Sequence, residues 1–216
     1  MRWIHKAVQV AVFIGFSSAN AGSYDDFFQA IVRDDPTTLR ALVGRGFDPN
    51  SVDEYGHTGL TRALMAESFD AALTLARLPA TDVRRRNRAG ETGLMVAALK
   101  GQAAICQVLL DRGAPLDSEG WSPLHYAAAG NSLSVLKLLL TRGAAVDARA
   151  PNGRTPLMMA VLHASEEVAE ALLAAGADPR ARDRADLGPA DLARQAGRDS
   201  YALRLDTAAA RPPKPR

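Results

Sequence analysis

The sequence holds a single cysteine, Cys106, in 216 residues. Neither an intrachain disulfide framework nor a cysteine-based zinc site can be built from it. Also missing are an H-E-x-x-H helix, a G-x-S-x-G elbow, a phosphate-cradling glycine loop and a cysteine poised beside a base. The common sequence marks of metal, nucleophilic and nucleotide chemistry are therefore absent, and no cofactor is expected. Excess charge is small, with 26 basic and 24 acidic residues. At 47% apolar and 23% charged residues, the chain is too apolar to be disordered and too charged for a multi-span membrane protein.

The N-terminus carries Arg2, His5 and Lys6, then an apolar run over residues 7–16 without acid or base, then small residues ending Ala19-Asn20-Ala21. A basic start, a short apolar stretch and an A-x-A site occur in the order a secretory signal peptide requires, because small side chains must enter the peptidase pockets. The run is roughly half the ~20 apolar residues of a spanning helix. Residues 1–21 are therefore expected to be a signal peptide cleaved near Ala21, leaving no stable membrane insertion and a periplasmic or secreted chain. An uncleaved anchor and a buried first helix are the alternatives. Without Arg2 and Lys6 the basic and acidic residues balance at 24 each, and Arg211-Pro-Pro-Lys-Pro-Arg216 holds three of the remaining cations. The body is then slightly acidic, which gives a polyanion no general field and argues against nucleic acid.

The body repeats. Thr58-Gly-Leu60, Thr92-Gly-Leu94, Ser122-Pro-Leu124 and Thr155-Pro-Leu157 begin at spacings of 34, 30 and 33 residues, and Gly-Ala follows 21 residues after three of these starts, at Gly113, Gly143 and Gly176. Between them lie small residues (Ala97, Ala98, Ala127, Ala128) and then aliphatic ones (Leu109, Leu110, Leu138, Leu139, Leu172, Leu173). Thr or Ser ahead of Pro-Leu supplies a helix N-cap with Pro at the first position, where its missing N–H costs nothing. The alanines let one helix approach its neighbour closely. The leucines form the apolar stripe of a second helix, and the glycines end that helix in the left-handed conformation. Asn152-Gly153 and similar pairs reverse the chain. Such a unit cannot bury its faces alone; about three or more stacked together can.

Ser122-Pro-Leu-His-Tyr-Ala-Ala128 and Leu136-Lys-Leu-Leu-Leu-Thr-Arg-Gly-Ala144 resemble the motifs of ankyrin repeats. The resemblance implies an all-α solenoid of helix-turn-helix units joined by β-hairpin-like fingers. It would occupy residues 22–206, with repeats at about 24–56, 57–90, 91–120, 121–153 and 154–186 and a cap at 187–206. Residues 207–216 are expected to form a disordered Pro-rich basic tail. The third unit is short, which truncates the finger at 114–120 and predicts a weak junction there. Arg198, Asp199 and Arg204 are expected to make the last helix polar, as a solvent-facing cap requires.

Three histidines lie beyond the leader. The resemblance gives His125 a structural hydrogen-bonding role. His57 is expected to be exposed, and His163, near Glu166 and Glu167, to sit in a solvated turn. Cys106 is expected to pack in the core, as are Met95, Met158 and Met159. Arg84, Arg85, Arg86 and Arg88 form the densest charge cluster, on the finger of the second repeat, and Arg149, Arg154 and Arg182 fall on later fingers. Together they read as a basic rim for an acidic protein surface, since Arg makes bidentate carboxylate contacts; a merely solvated loop is the rival reading. Trp121, at the truncated finger, and Tyr55, at the first fingertip, are aromatic anchor candidates. The expected protein is a non-enzymatic, exported binding module, monomeric alone. A leader ahead of a bare repeat stack resembles periplasmic bacterial ankyrin proteins, which implies either a catalase-associated stress-defence scaffold or an immunity protein neutralising a toxin enzyme.

Overall fold

The computed structural model describes residues 18–117 and 120–211. Residues 1–17 of the expected leader and 212–216 of the tail lie outside them. The chain forms α1 (Ser18–Val32), α2 (Pro36–Gly44), α3 (Gly59–Met65), α4 (Phe69–Arg77), α5 (Gly93–Leu99), α6 (Ala103–Asp111), α7 (Pro123–Ala129), α8 (Leu133–Thr141), α9 (Pro156–His163), α10 (Glu166–Ala174), α11 (Pro189–Gln195) and α12 (Asp199–Ala210). α1 thus takes in the expected cleavage site, and α12 runs past residue 206. No helix among the described residues is long and apolar enough to cross a membrane. Strands are absent from the described residues apart from the isolated bridges Val52–Thr58 and Arg86–Thr92. This is the expected solenoid of helix pairs.

Each odd-numbered helix packs on the odd-numbered helices before and after it, and the even-numbered helices α4, α6, α8 and α10 form a second row. The sequence explains both rows. Thr58, Thr92 and Thr155 cap α3, α5 and α9 by accepting from backbone N–H three residues on, at 3.2, 3.3 and 3.4 Å. Ala63, Ala97, Ala127, Ala160 and Ala193 are fully buried where these short helices meet. Gly93 begins α5 so close to Leu60 that a Cβ there would lie 2.4 Å from Leu60 Cδ2 and force that side chain to move. Each even-numbered helix has leucine at its seventh residue: Leu42, Leu75, Leu109, Leu139, Leu172 and Leu205, all at most 2% exposed. This column is the continuous core. Gly113, Gly143 and Gly176 follow the second helices at φ of +80°, +90° and +95°, the left-handed exit that glycine takes without steric cost.

Hydrogen bonds between units reinforce the stack. Asp34, at φ +52° in the α1–α2 turn, accepts from Ala71 N at 2.7 Å and from Asp70 N at 3.4 Å. It caps α4, whose own N-cap residue, Ser68, makes no side-chain cap bond. Asn131 accepts from the N–H of Ser165, the residue that precedes α10, at 2.9 Å. Arg112 donates to Ala76 O, Pro79 O and Thr81 O at 2.7, 3.1 and 2.9 Å, tying the third unit to the end of α4. Asp34→Gly, which keeps the left-handed turn and removes the cap, is expected to destabilise by about 1 kcal/mol. A urea midpoint shift with unchanged m-value checks this.

Two expectations need correction. The truncated finger does not leave a weak helix junction: α5 packs on α7 as extensively as α7 on α9, Arg142 pairs with Asp111 at 2.9 Å, and Tyr126 donates to Glu91 at 3.1 Å. The last helix is also less polar than its charges suggest. Tyr201, Ala202 and Leu205 are buried, and Arg198 and Arg204 lie over the Tyr201 ring at 5.1 and 4.9 Å. Their guanidinium groups cover the end of the core while remaining hydrated on the outside.

Candidate functional site

Among the described residues, fingers project from the stack at residues 52–58, 86–92, 149–155 and 182–188. Each closes with a backbone hydrogen bond: Asp53 N to His57 O, Asn87 N to Glu91 O, Ala150 N to Arg154 O and Asp183 N to Leu187 O, at 2.8–3.0 Å. In three of them the first side-chain oxygen shapes the tip. Asp53 Oδ1 accepts from Tyr55 N and His57 N, Asn87 Oδ1 from Ala89 N and Glu91 N, and Asp183 Oδ1 from Ala185 N and Leu187 N, all at 2.8–3.0 Å. These are Asx-type turns, in which a short side chain replaces backbone partners.

The finger geometry divides the arginines that the sequence grouped together. Arg86 Nη1 donates to Gly90 O at 2.6 Å. Arg149 Nη1 donates to Gly153 O at 3.2 Å and, across to the next finger, to Arg182 O at 2.7 Å. Arg182 Nη1 donates to Asp186 O at 3.0 Å and to Asp191 Oδ2 at 2.5 Å. Thus Arg86, Arg149 and Arg182 each reach four residues forward to clamp their own hairpin. Arg154 pairs with Asp183 Oδ2 at 3.5 Å, where the carboxylate is only 5% exposed. These four stabilise fingers.

Arg84, Arg85 and Arg88 differ. All three are exposed, and their guanidinium groups form no hydrogen bond or ion pair with any described residue. The second fingertip also abuts the first: Arg88 N donates to Gly56 O at 3.1 Å, and a Cβ on Gly56, at φ +81°, would lie 2.7 Å from Arg88 Cβ. Tyr55, 64% exposed, is therefore next to Arg88. The structure sets Tyr55 beside Arg88 at adjoining fingertips and directs the Arg84 guanidinium toward Gly113, after α6, while Arg149, Arg154 and Arg182 belong to the later fingers. Trp121 is half-buried, its ring edge-on to His125 with centroids 5.4 Å apart, so it packs on the base of the stack more than it projects.

His57 is half-buried rather than exposed. Its Nδ1 lies 3.2 Å from Asp53 Oδ2, and Arg62 Nε lies 3.7 Å from the same carboxylate oxygen. His163 is exposed at the end of α9. Glu166 pairs instead with Arg198 at 3.7 Å and closely with Arg204. No cluster of His, Cys, Asp and Glu among the described residues is placed to hold a metal. Cys106 is fully buried, and burial pushes its thiol up to about 12, far from the thiolate that reactivity requires. Met95 and Met158 are core residues.

Sequence reasoning missed a second surface. On α1, Tyr24, Phe28 and Val32 recur every four residues and face finger 1, forming an open groove with Tyr55, Asp25, Asp53 and Glu54. The i, i+4, i+8 spacing of apolar residues ahead of the first motif was its legible signal.

A family model described as "Ankyrin repeats (3 copies)" matches residues 27–118 and 114–183. This chain belongs to the ankyrin-repeat family. It is 32% identical over 177 residues to "Tyrosine-protein kinase Shark" of Drosophila melanogaster, covering 80% of this chain and 19% of that protein. It is 33% identical over 156 residues to "B-cell lymphoma 3 protein homolog" of Mus musculus, covering 69% of this chain and 35% of that protein. With "Neurogenic locus notch homolog protein 4" of Homo sapiens it shares 44% identity over 93 residues, covering 41% of this chain and 5% of that protein. The chain thus spans a minor share of each relative, and the likeness lies in the repeats. Ankyrin repeats are protein–protein interaction units.

Proposed function

We propose that this chain is an exported, non-catalytic binding module that works without a cofactor, is monomeric in dilute solution, and presents Tyr55, Arg84, Arg85 and Arg88 to an acidic surface of a protein partner. The observation that carries this reading is three exposed guanidinium groups with no carboxylate partner among the described residues, Arg88 on a finger held rigid by Asn87 and Arg86 and Arg84 and Arg85 on the segment that leads into it. A preformed edge loses little ordering entropy on association. Arg groups meet carboxylates with two parallel hydrogen bonds, and an exposed Tyr beside them supplies apolar contact. Export rests on the leader pattern of residues 1–21. Within that setting the reading we favour is a periplasmic stress-defence scaffold that acts beside an enzyme such as catalase.

The test is affinity capture from a periplasmic extract. Arg84→Glu/Arg85→Glu/Arg88→Glu is expected to weaken capture on the order of 100-fold, since each 1.4 kcal/mol is tenfold and reversed charges meet like charges. Arg149→Ala is expected to leave capture unchanged. Capture that survives the triple reversal removes the finger from the site. A peroxide-metabolising enzyme among the captured proteins supports the scaffold role. A toxin enzyme silenced in the complex replaces it with immunity.

A further inference from the structure

The groove between α1 and the first finger lies at one end of the stack, and a segment of opposite character leaves the other end. Tyr24 and Phe28 form one aromatic ledge, their ring centroids 4.9 Å apart, and Tyr24 Oη donates to Val52 O at 2.7 Å, which fixes the ledge against the finger. Val32 is 59% exposed and Tyr55 64% exposed, an open apolar surface on an otherwise polar edge. The flanking charges are Asp25, Asp53 and Glu54 against Arg33 and Arg62. Arg62 faces Asp53, and Arg33 donates to Gln29 at 3.2 Å. Asp25 and Glu54 remain exposed, with no hydrogen bond or ion pair from their side chains to any described residue. The segment after α12 reads Arg211-Pro-Pro-Lys-Pro-Arg216, three cations and three prolines without an acid.

We propose that this groove receives the segment Arg211-Pro-Pro-Lys-Pro-Arg216 of a second copy of the chain. Closely spaced prolines favour the extended polyproline II form, whose rings dock on aromatic ledges with little ordering cost. The flanking Arg and Lys then face Asp25 and Glu54. The Tyr24 hydroxyl reports the same local field. Its pKa is raised, first by burial and then by the carboxylates of Asp53, Asp25 and Glu54. The contact must be made between copies. At ~3.1 Å per residue the six residues reach roughly 19 Å, whereas five successive helix-pair spacings of about 8–10 Å separate α12 from α1. An end-to-end contact of this kind uses two different surfaces, so it propagates from copy to copy as an open chain or a closed ring. It is weak, and it is compatible with a monomer in dilute solution. The groove shares Tyr55 with the proposed partner edge, but Asp25 and Glu54 belong to it alone and Arg84, Arg85 and Arg88 to the other, so charge reversal at one leaves the other intact and either proposal can fail alone.

The test uses the full chain and a synthetic peptide of residues 207–216. In a nuclear magnetic resonance titration the amides of residues 24–33 and 52–56 are expected to shift, saturably and less so at high salt. Asp25→Arg/Glu54→Arg is expected to weaken the peptide at least about tenfold with unchanged helix content. A peptide with alanine at Pro212, Pro213 and Pro215 is expected to bind similarly more weakly. In sedimentation, the mean mass of the full chain should rise with concentration, and Arg211→Ser/Lys214→Ser/Arg216→Ser should abolish that rise. Shifts elsewhere, no shifts, equal binding of the proline-free peptide, or self-association that survives the tail substitutions would each overturn the proposal.

Discussion

Leu139→Ala is expected to lower the stability of the whole stack by about 2–5 kcal/mol. Leu139 is fully buried at the seventh residue of α8, in the column that runs from Leu42 to Leu205. Truncation removes buried methyl groups and leaves a cavity that flanking helices on both sides hold open. In a repeat array stability is a sum of unit and nearest-neighbour contributions, so the same change at Leu205, in the last unit, should cost less because only one side depends on it. Urea unfolding followed by circular dichroism measures both. Trp121 fluorescence should report the same midpoint, because the helix packing runs unbroken from α5 to α7. A probe-dependent transition would mean that the junction at 114–120 is a real discontinuity.

His125→Ala is expected to cost about 2–4 kcal/mol and to remove an acid-sensitive contribution to stability. His125 is 1% exposed. Ser122 N donates to its Nδ1 at 3.1 Å, and Nε2 lies 3.1 Å from Arg154 O. Since Nδ1 faces an N–H donor, the ring is neutral with its proton on Nε2, and it donates to the next finger. Burial lowers its pKa, against smaller raising effects from the Arg154 and Ala148 carbonyls. A histidine whose pKa is lower folded than unfolded takes up its proton more readily when unfolded, so stability rises with pH through this range. The contribution is complete above the unfolded value near 6.5 and is lost as pH falls toward the folded value. Denaturation midpoints between about pH 7 and 5 should slope downward with acid in the wild type and flatten in His125→Gln. An equal slope in the variant would assign the acid sensitivity elsewhere.

The repeat was legible because each unit repeats the same physical requirements at one spacing. The cap residues Thr92 and Thr155, the Gly113, Gly143 and Gly176 exits and the leucine column are local necessities, and each reads directly from the chain. Cys106 and His125 were legible for the same reason: their places in the unit dictated burial. The fingers were harder to read. Whether an arginine is available depends on which carbonyl lies within its reach, and Arg149 answers to Arg182 O, 33 residues away. Nothing in the local sequence separates Arg86, which clamps its turn, from Arg85 and Arg88, which do not. The hydrogen bonds that Asp34 and Asn131 make to the starts of α4 and α10 were hidden likewise, because donor and acceptor belong to different units. His57 looked exposed beside its cap residue, yet the turn built by Asp53 draws it inward. Arg198 and Arg204 read as solvent-facing charge, whereas their reach over Tyr201 depends on how α12 lies across the last core layer.

The account rests on binding through one finger edge of a continuous helix stack. Its most direct test is hydrogen exchange of the chain alone and with its captured partner. The expected result is added protection confined to residues 53–58 and 83–91, with the α4, α6 and α8 amides unchanged. Protection centred on those second-row helices, or on the third and fourth fingers, would contradict it.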